Sequence, residues 1–277
     1  MFENILGHEK QKQFLENSII SNNISHSYLF LGSDGIGKKC LAIEFAKILL
    51  NANSIENCPD FKIIEKKKDK KNVLVEQIRE DILKDIYIAP ISSDKKVYII
   101  DNFEELSISS QNALLKTLEE PPKYVVIIII SSNITNILTT ILSRVNIVRF
   151  DKLSIKIIKK YINNEEMTQN ILNFLDGSIG KYNLLLENNS LDKLELIDKL
   201  YNFITSKNYI SCIKIIEEID FNYKYMFEYL TYLMSKNNNN LCVSIVEKSY
   251  LRLQNNGNYD IVIDNMILKC IDNIDKI

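Results

Sequence analysis

"SYLFLGSDGIGKKCLAIEFAKILL" (27–50) opens on a short apolar run, breaks at glycine and closes on a helical pattern. Leu41, Phe45, Ile48 and Leu49 recur at the spacing of one helix face. Strand, glycine-rich loop and helix form the context in which G-x-x-x-x-G-K-[ST] binds phosphate. Gly32, Gly35 and Gly37 let the backbone curl until its N–H groups converge on phosphate oxygens. Lys38 would pair with the β/γ phosphates, and the helix N-terminus adds a favourable dipole. A plain glycine turn between a strand and a helix reads the same way in isolation. The last position breaks the pattern, because Lys39 stands where a hydroxyl would ligate Mg²⁺. Two unit charges about 4 Å apart cost about 4 kcal/mol at an effective dielectric of about 20, and a divalent ion doubles that.

Outward from this loop the first 150 residues alternate strand and helix patterns. GHEKQKQFLENSIISNN (7–23) has helical spacing at Phe14, Leu15, Ile19 and Ile20. DFKII, KVYIID, YVVIIIISS and NIVRF read as strands; VLVEQIREDILKDI, SQNALLKTLEE and TNILTTILSR read as helices. YVVIIIISS is continuously apolar and β-branched, as a strand buried on both faces must be. Pro121-Pro122 ends the helix before it. Such alternation predicts a parallel sheet covered by helices. After Phe150 the strand patterns stop. Residues 151–190 read as short helices broken by Gly177 and Gly180, and 191–277 as longer amphipathic helices, with NNNN (237–240) and NNGN (255–258) as loops. The expected division is 1–150, 151–190 and 191–277.

Composition excludes several function classes. With 46% hydrophobic and 25% charged residues the chain is neither disordered nor membrane-spanning. Its longest aliphatic run, Val125–Ile130, is far short of the ~20 residues that cross a bilayer. The polar N-terminus resembles no apolar signal region, so a cytoplasmic location is expected. A net charge of −2 makes the whole chain no strong electrostatic partner for DNA. EKKKDKK (65–71) is the dense basic patch; a solvated connection explains it, and no aromatic interrupts it to stack on bases. Five scattered cysteines form no C-x-x-C pair, so neither a disulfide framework nor a zinc cluster is expected. His8 and His26 read as surface or packing residues.

A second chemical signal is KVYIIDNFEEL (96–106), whose four apolar residues before Asp101 match the strand that delivers the magnesium-binding acid of phosphate-loop enzymes. Asn102, a neutral amide, follows where many such enzymes place a glutamate, and it cannot act as a general base. Glu104 and Glu105 read as a solvated turn. Arg144, at the end of TNILTTILSR, would by itself read as a helix cap for the last carbonyls.

The stretch "SSQNALLKTLEEPPKYVVIIIISSNITNILTTILSRVNIVRF" (109–150) closely resembles the core of bacterial clamp-loader AAA+ subunits, through NALLKTLEEPP and TILSR. NCPDFKIIE followed by VLVEQIRE, and GHEKQKQFLENSIISNNISHSYLF near the start, resemble the DNA polymerase III delta-prime subunit family. The resemblance covers residues 3–190; beyond them only length and helical character match. It implies a RecA-like α/β AAA+ domain, a small helical lid and an all-helical collar. It also implies a pentamer with motor (gamma/tau) and delta subunits that opens a sliding clamp and places it on primed DNA. Delta-prime is the relatively rigid member of that pentamer. Carried over residue by residue, Arg144, beside Ser143, would be an arginine finger acting in trans on a neighbouring ATP site. Gly32, Gly35, Gly37, Lys38, Lys39 and Asp101 would form a remnant nucleotide site, holding ATP or ADP without hydrolysis at most and requiring no cofactor.

Departures from the family pattern bear on the same reading. The zinc-binding cysteines of many delta-prime relatives are reduced to Cys58 in NANSIENCPDF, so no zinc is expected. Val145 replaces the Cys of Ser-Arg-Cys. In LDGSIGKYNLLLE (175–187), Gly180 falls where motor subunits carry a phosphate-contacting Arg, with Lys181 one residue later. Without the Mg²⁺ hydroxyl, the catalytic acid and the lid arginine, the chain is expected not to be catalytic by itself. The alternative is an active gamma/tau-like motor or another AAA+ remodelling ATPase.

Overall fold

The structure, a computed structural model, describes residues 1–65, 78, 82–162, 167–219 and 223–275. The lysine-rich run at 66–71 and the Gln-Ile-Arg segment, Ile78 apart, lie outside the described residues. The chain divides into two compact units: Met1–Asn163 with Gly177–Gly180, and Asn164–Asp176 with Lys181–Ile277.

The first unit is built on five parallel strands, β1 (Ser27–Leu31), β2 (Phe61–Ile64), β3 (Lys96–Ile100), β4 (Val125–Ser131) and β5 (Asn146–Arg149), in the order β2-β3-β4-β1-β5. Side chains alternate between the faces of a strand, and the two cores follow that alternation. Tyr28, Phe30, Val97, Ile99, Val126, Ile128 and Ile130 share one core with Leu15 of α1 (Glu9–Ile20) and with Leu41 and Phe45 of α2 (Lys38–Leu49). Leu29, Leu31, Tyr98, Ile100, Ile127 and Ile129 share the other with Leu114 and Leu118 of α3 (Ile108–Glu119) and with Ile137 and Ile141. Ile78, Ile82 and Ile86, four residues apart, are buried in that second core. Every residue of β1, β3 and β4 is buried, as expected for a parallel sheet covered on both faces. Because all strands run the same way, Gly32, Asp101, Ser131 and Phe150 come off one edge of the sheet, where open α/β sheets bind ligands.

Two sequence expectations need correction here. On α1, Leu15 is buried and Ile19 packs on the core, but Phe14 and Ile20 are exposed. TNILTTILSR is not one helix; only Thr139–Leu142 (α4) is helical. The buried Gln111 side chain donates to Asn136 O (2.8 Å) and accepts from Leu138 N–H (3.0 Å), and Thr135 N–H bonds Asn133 Oδ1 (2.9 Å). Side chains thus capture the backbone groups a longer helix would have used. Ile137 and Ile141 are nonetheless buried, and Leu138 and Leu142 pack beside them.

After β5 the described residues contain helices and no strand, so the expected α/β domain with a parallel sheet is followed by a helical C-terminal region. These helices are α5 (Ile155–Ile162), α6 (Gln169–Leu175), α7 (Ile179–Glu187), α8 (Leu194–Thr205), α9 (Tyr209–Glu218), α10 (Tyr223–Lys236), α11 (Asn240–Gln254) and α12 (Tyr259–Asn273). Gly180 lies in the first turn of α7, so only Gly177 breaks the helical run as expected. Two of these helices start on an asparagine cap: Asn208 and, at the end of NNGN, Asn258 accept the N–H of Ser211 and Ile261, each at 3.1 Å, at the starts of α9 and α12. Among the described residues no helix is long and apolar enough to cross a membrane.

Candidate functional site

The loop after β1 has the curl its glycines suggest, with positive φ at Gly35 (72°) and Gly37 (106°). Lys38 spans it and donates to Gly32 O (2.5 Å) and Ser33 O (2.7 Å), with Asp34 Oδ1 at 3.7 Å. Its ammonium is buried, and burial holds its pKa below the ordinary lysine value against the pull of Asp34. His8, read from sequence as a surface or packing residue, is buried and also serves the loop. Its ring donates from Nε2 to Ile36 O at 2.7 Å and lies edge-on to Phe150 at 5.0 Å. Burial lowers the His8 pKa below the ordinary histidine value, which favours the neutral ring.

Lys39 turns away from this cradle to the acids. Its Nζ bonds Glu65 Oε1 and lies 3.2 Å from Asp101 Oδ2. Burial works against the ammonium, but the Glu65 bond and the Asp101 charge outweigh it and hold its pKa above the ordinary value. The other Asp101 oxygen accepts the Asn102 N–H at 3.0 Å, so both are engaged. Asn102 itself is exposed and left-handed (φ 49°), a conformation asparagine tolerates better than glutamate. The fold implies Mg²⁺ at this place, and the residues do not fit it: the hydroxyl ligand is missing and a lysine holds the acid.

Glu104 corrects the expectation of a solvated turn. It is half-buried, bonds the Ser132 N–H (2.9 Å) and hydroxyl at the end of β4, and leaves Oε2 buried without a hydrogen-bond partner. Burial pushes its carboxyl up, and the Ser132 bonds more than offset that. Glu105 is exposed, as expected. The signal that could have found Glu104 is weak, since its partner lies 28 residues away.

Gly180 touches the loop itself. Its N–H donates to Gly35 O at 2.8 Å, and a Cβ built on it would sit 2.6 Å from Gly35 Cα. A Cβ on Gly35 would meet Ser178 Oγ at 2.2 Å. Backbone meets backbone there, at a distance that leaves no room for a side chain on either residue. Lys181 is engaged in the second unit, 3.4 Å from the centre of the Phe174 ring and bonded to Phe174 O at 3.1 Å.

Arg144 follows α4 on a different part of the first unit. Its Nη2 pairs with Glu119 Oε1 at 2.6 Å, while Nη1 donates to Thr140 O (2.6 Å) and Ser143 Oγ (3.0 Å). The carbonyl capping anticipated for a helix-end arginine is thus present. Ser143 in turn donates to Thr140 O, and Ser27 donates to Arg144 O at 2.7 Å, fixing the turn to β1. The Arg144 side chain keeps about a third of its surface exposed. Among the described residues no three His, Cys, Asp or Glu side chains gather as a metal-ligand set.

Comparison with known proteins gives a consistent picture. A family model described as DNA polymerase III, delta subunit, matches residues 7–154. The gamma subunit of DNA polymerase III from Buchnera aphidicola (subsp. Acyrthosiphon pisum) is 33% identical over 238 residues, which cover 73% of this chain and 66% of that one. The tau subunit from Bacillus subtilis is 32% identical over 216 residues, covering 73% of this chain and 38% of the relative. The chain thus spans under two thirds of these relatives' length. In fold it is similar to a DNA polymerase III gamma subunit-related protein from Thermotoga maritima. The TM-score is 0.55 at 18% identity, over 96% of this chain and 98% of the other.

Proposed function

The chain belongs to the DNA polymerase III clamp-loader family, and from that membership we propose a delta-prime-like, non-motor role within it. It assembles through residues 191–277 as a collar, with 151–190 as the lid, beside gamma/tau motor and delta subunits. It helps load the sliding clamp onto primed DNA and lends Arg144 to a neighbour's ATP site. The observation that carries this reading is the Lys39–Asp101 contact at 3.2 Å, which ties up the acid a hydrolysing site would give to its metal. Asn102 and Gly180 weigh in the same direction, since one removes the base and the other the phosphate-contacting arginine.

A second reading, an active gamma/tau-like motor or another AAA+ remodelling ATPase, is favoured by the gamma and tau names of the relatives at 32–33% identity. An ATPase assay on the isolated chain separates the two. The non-motor reading expects no appreciable turnover. Turnover comparable to a motor subunit and abolished by Lys38→Ala would promote the second reading.

A further inference from the structure

We propose that Lys39 acts as a built-in cation that fills the metal position of the remnant site, so that the first unit is held together without Mg²⁺ or nucleotide. This inference rests on the non-motor reading and says how the site came to do without its ligands. Asp101 is only 14% exposed, and a carboxylate that far from water needs a counter-charge. One oxygen is satisfied by the Asn102 N–H at 3.0 Å and the other by Lys39 at 3.2 Å. The same ammonium bonds Glu65, directly after β2, while Lys39 itself belongs to the first turn of α2. One side chain therefore joins three elements at the ligand-binding edge: the helix after the phosphate loop, the end of β2 and the end of β3. In a hydrolysing site, a metal held by the loop hydroxyl and the strand acid makes that connection.

At this place a tethered cation has the advantage over an entering one. Asp34, Glu65, Asp101 and Glu104 face Lys38 and Lys39. An arriving divalent ion would meet Lys39 as a like charge, and no hydroxyl stands at that position to ligate it. A lysine on the chain also loses no translational freedom on binding, whereas a free ion does.

The test compares the full-length wild type with Lys39→Thr, which restores the hydroxyl and frees Asp101. Thermal melts are run without ligand, with ATP and EDTA, and with ATP and MgCl₂. The wild type should melt at one temperature in all three. Lys39→Thr should melt lower without ligand and recover with Mg²⁺ and ATP together but not with ATP and EDTA. Binding of a fluorescent ATP analogue in Mg²⁺ should tighten by about tenfold or more over wild type. A folded Lys39→Thr chain that gains no affinity overturns the inference, and so does a wild type already stabilised by Mg²⁺ and ATP to the same degree.

Asp101→Asn in the wild-type background is a second arm that does not need Lys39→Thr to fold. It should lower the melting temperature in EDTA, and no change would overturn the proposal. An inert wild type whose Lys39→Thr variant gains nothing defeats this inference and leaves the non-motor reading standing. Lys38-dependent turnover by the wild type defeats the non-motor reading instead.

Discussion

The Arg144 guanidinium meets the Glu119 carboxylate at 2.6 Å, joining TILSR to the KTLEEPP segment that ends α3. Both side chains are partly exposed, and ion pairs of that kind are worth about 0–1 kcal/mol. Their removal should leave the fold intact. An arginine finger contributes about 10³–10⁵ in rate where it is the main stabiliser of the transferring phosphoryl group. A loader has several ATP sites, so one lost finger should cost less. Arg144→Ala should therefore assemble normally and slow the DNA- and clamp-stimulated ATP hydrolysis of the reconstituted complex. Arg144→Lys should rescue little, because an ammonium lacks the planar fork. Glu119→Gln breaks the same ion pair but spares the finger, so it should not slow hydrolysis. Equal, wild-type rates for Arg144→Ala and Glu119→Gln would reduce Arg144 to a helix cap.

Asp60, in the Pro-Asp-Phe segment, is fully buried and accepts the N–H groups of Ile91, Ser92 and Ser93 at 2.7, 2.7 and 3.0 Å. The Ser92 and Ser93 hydroxyls add two more bonds. Burial alone would raise its pKa, but these donors prevail and hold it at about 2. A carboxyl depressed in the folded state adds stability that is full above its unfolded value and lost as pH falls through the folded one. The depression corresponds to about 2 kcal/mol. In urea melts, Asp60→Asn should be less stable than wild type by about that amount at pH 7, and the gap should close as pH falls from about 4 towards 2. A gap of constant size across that range would mean the site recognises shape and not charge.

The strands and the phosphate loop were legible because local sequence sets them. β-branched runs such as Val125–Ile130 and the Gly35–Gly37 spacing carry their meaning within a few residues. What was not legible depends on partners distant in sequence. Lys39 could be read as a lost hydroxyl, but not as a cation paired with Asp101, 62 residues on. Gln111 gave no sign that it would hold Asn136 and Leu138 and shorten the TILSR helix. Glu104 looked solvated, and His8 no more than a surface or packing residue, because nothing next to them announced Ser132 or Ile36 O.

Zinc is a separate matter. Between α2 and β2 the chain has Cys58 alone, and Cys212, Cys242 and Cys270 are buried among the C-terminal helices. A structural zinc site needs four Cys or His ligands around one point. Elemental analysis of the purified chain should find no zinc; one equivalent per chain would contradict this.

The Gly35–Gly180 contact yields the last prediction. Gly180 follows a short turn from Gly177 and brings its N–H to Gly35 O, with the two backbones too close for any side chain between them. Gly180→Ala would put a Cβ 2.6 Å from Gly35 Cα, an obstruction made of backbone that cannot rotate aside. Overpacking of this kind costs about 1–3 kcal/mol. Gly35→Ala meets Ser178 Oγ at 2.2 Å, a side chain that can turn aside, and the Gly180 Cα at 3.0 Å, and it must also hold φ at 72°, which adds about 1 kcal/mol for a residue with a Cβ. Both substitutions should therefore destabilise, Gly180→Ala through the clash and Gly35→Ala chiefly through its φ. The double variant should cost less than the sum, because the first substitution already forces the backbones apart. Thermal or urea melts of the two single variants and the double variant check this. Strict additivity would show that the loop and the 177–180 turn do not act as a pair. A Gly180→Ala variant as stable as wild type would remove the contact as the reason glycine stands there.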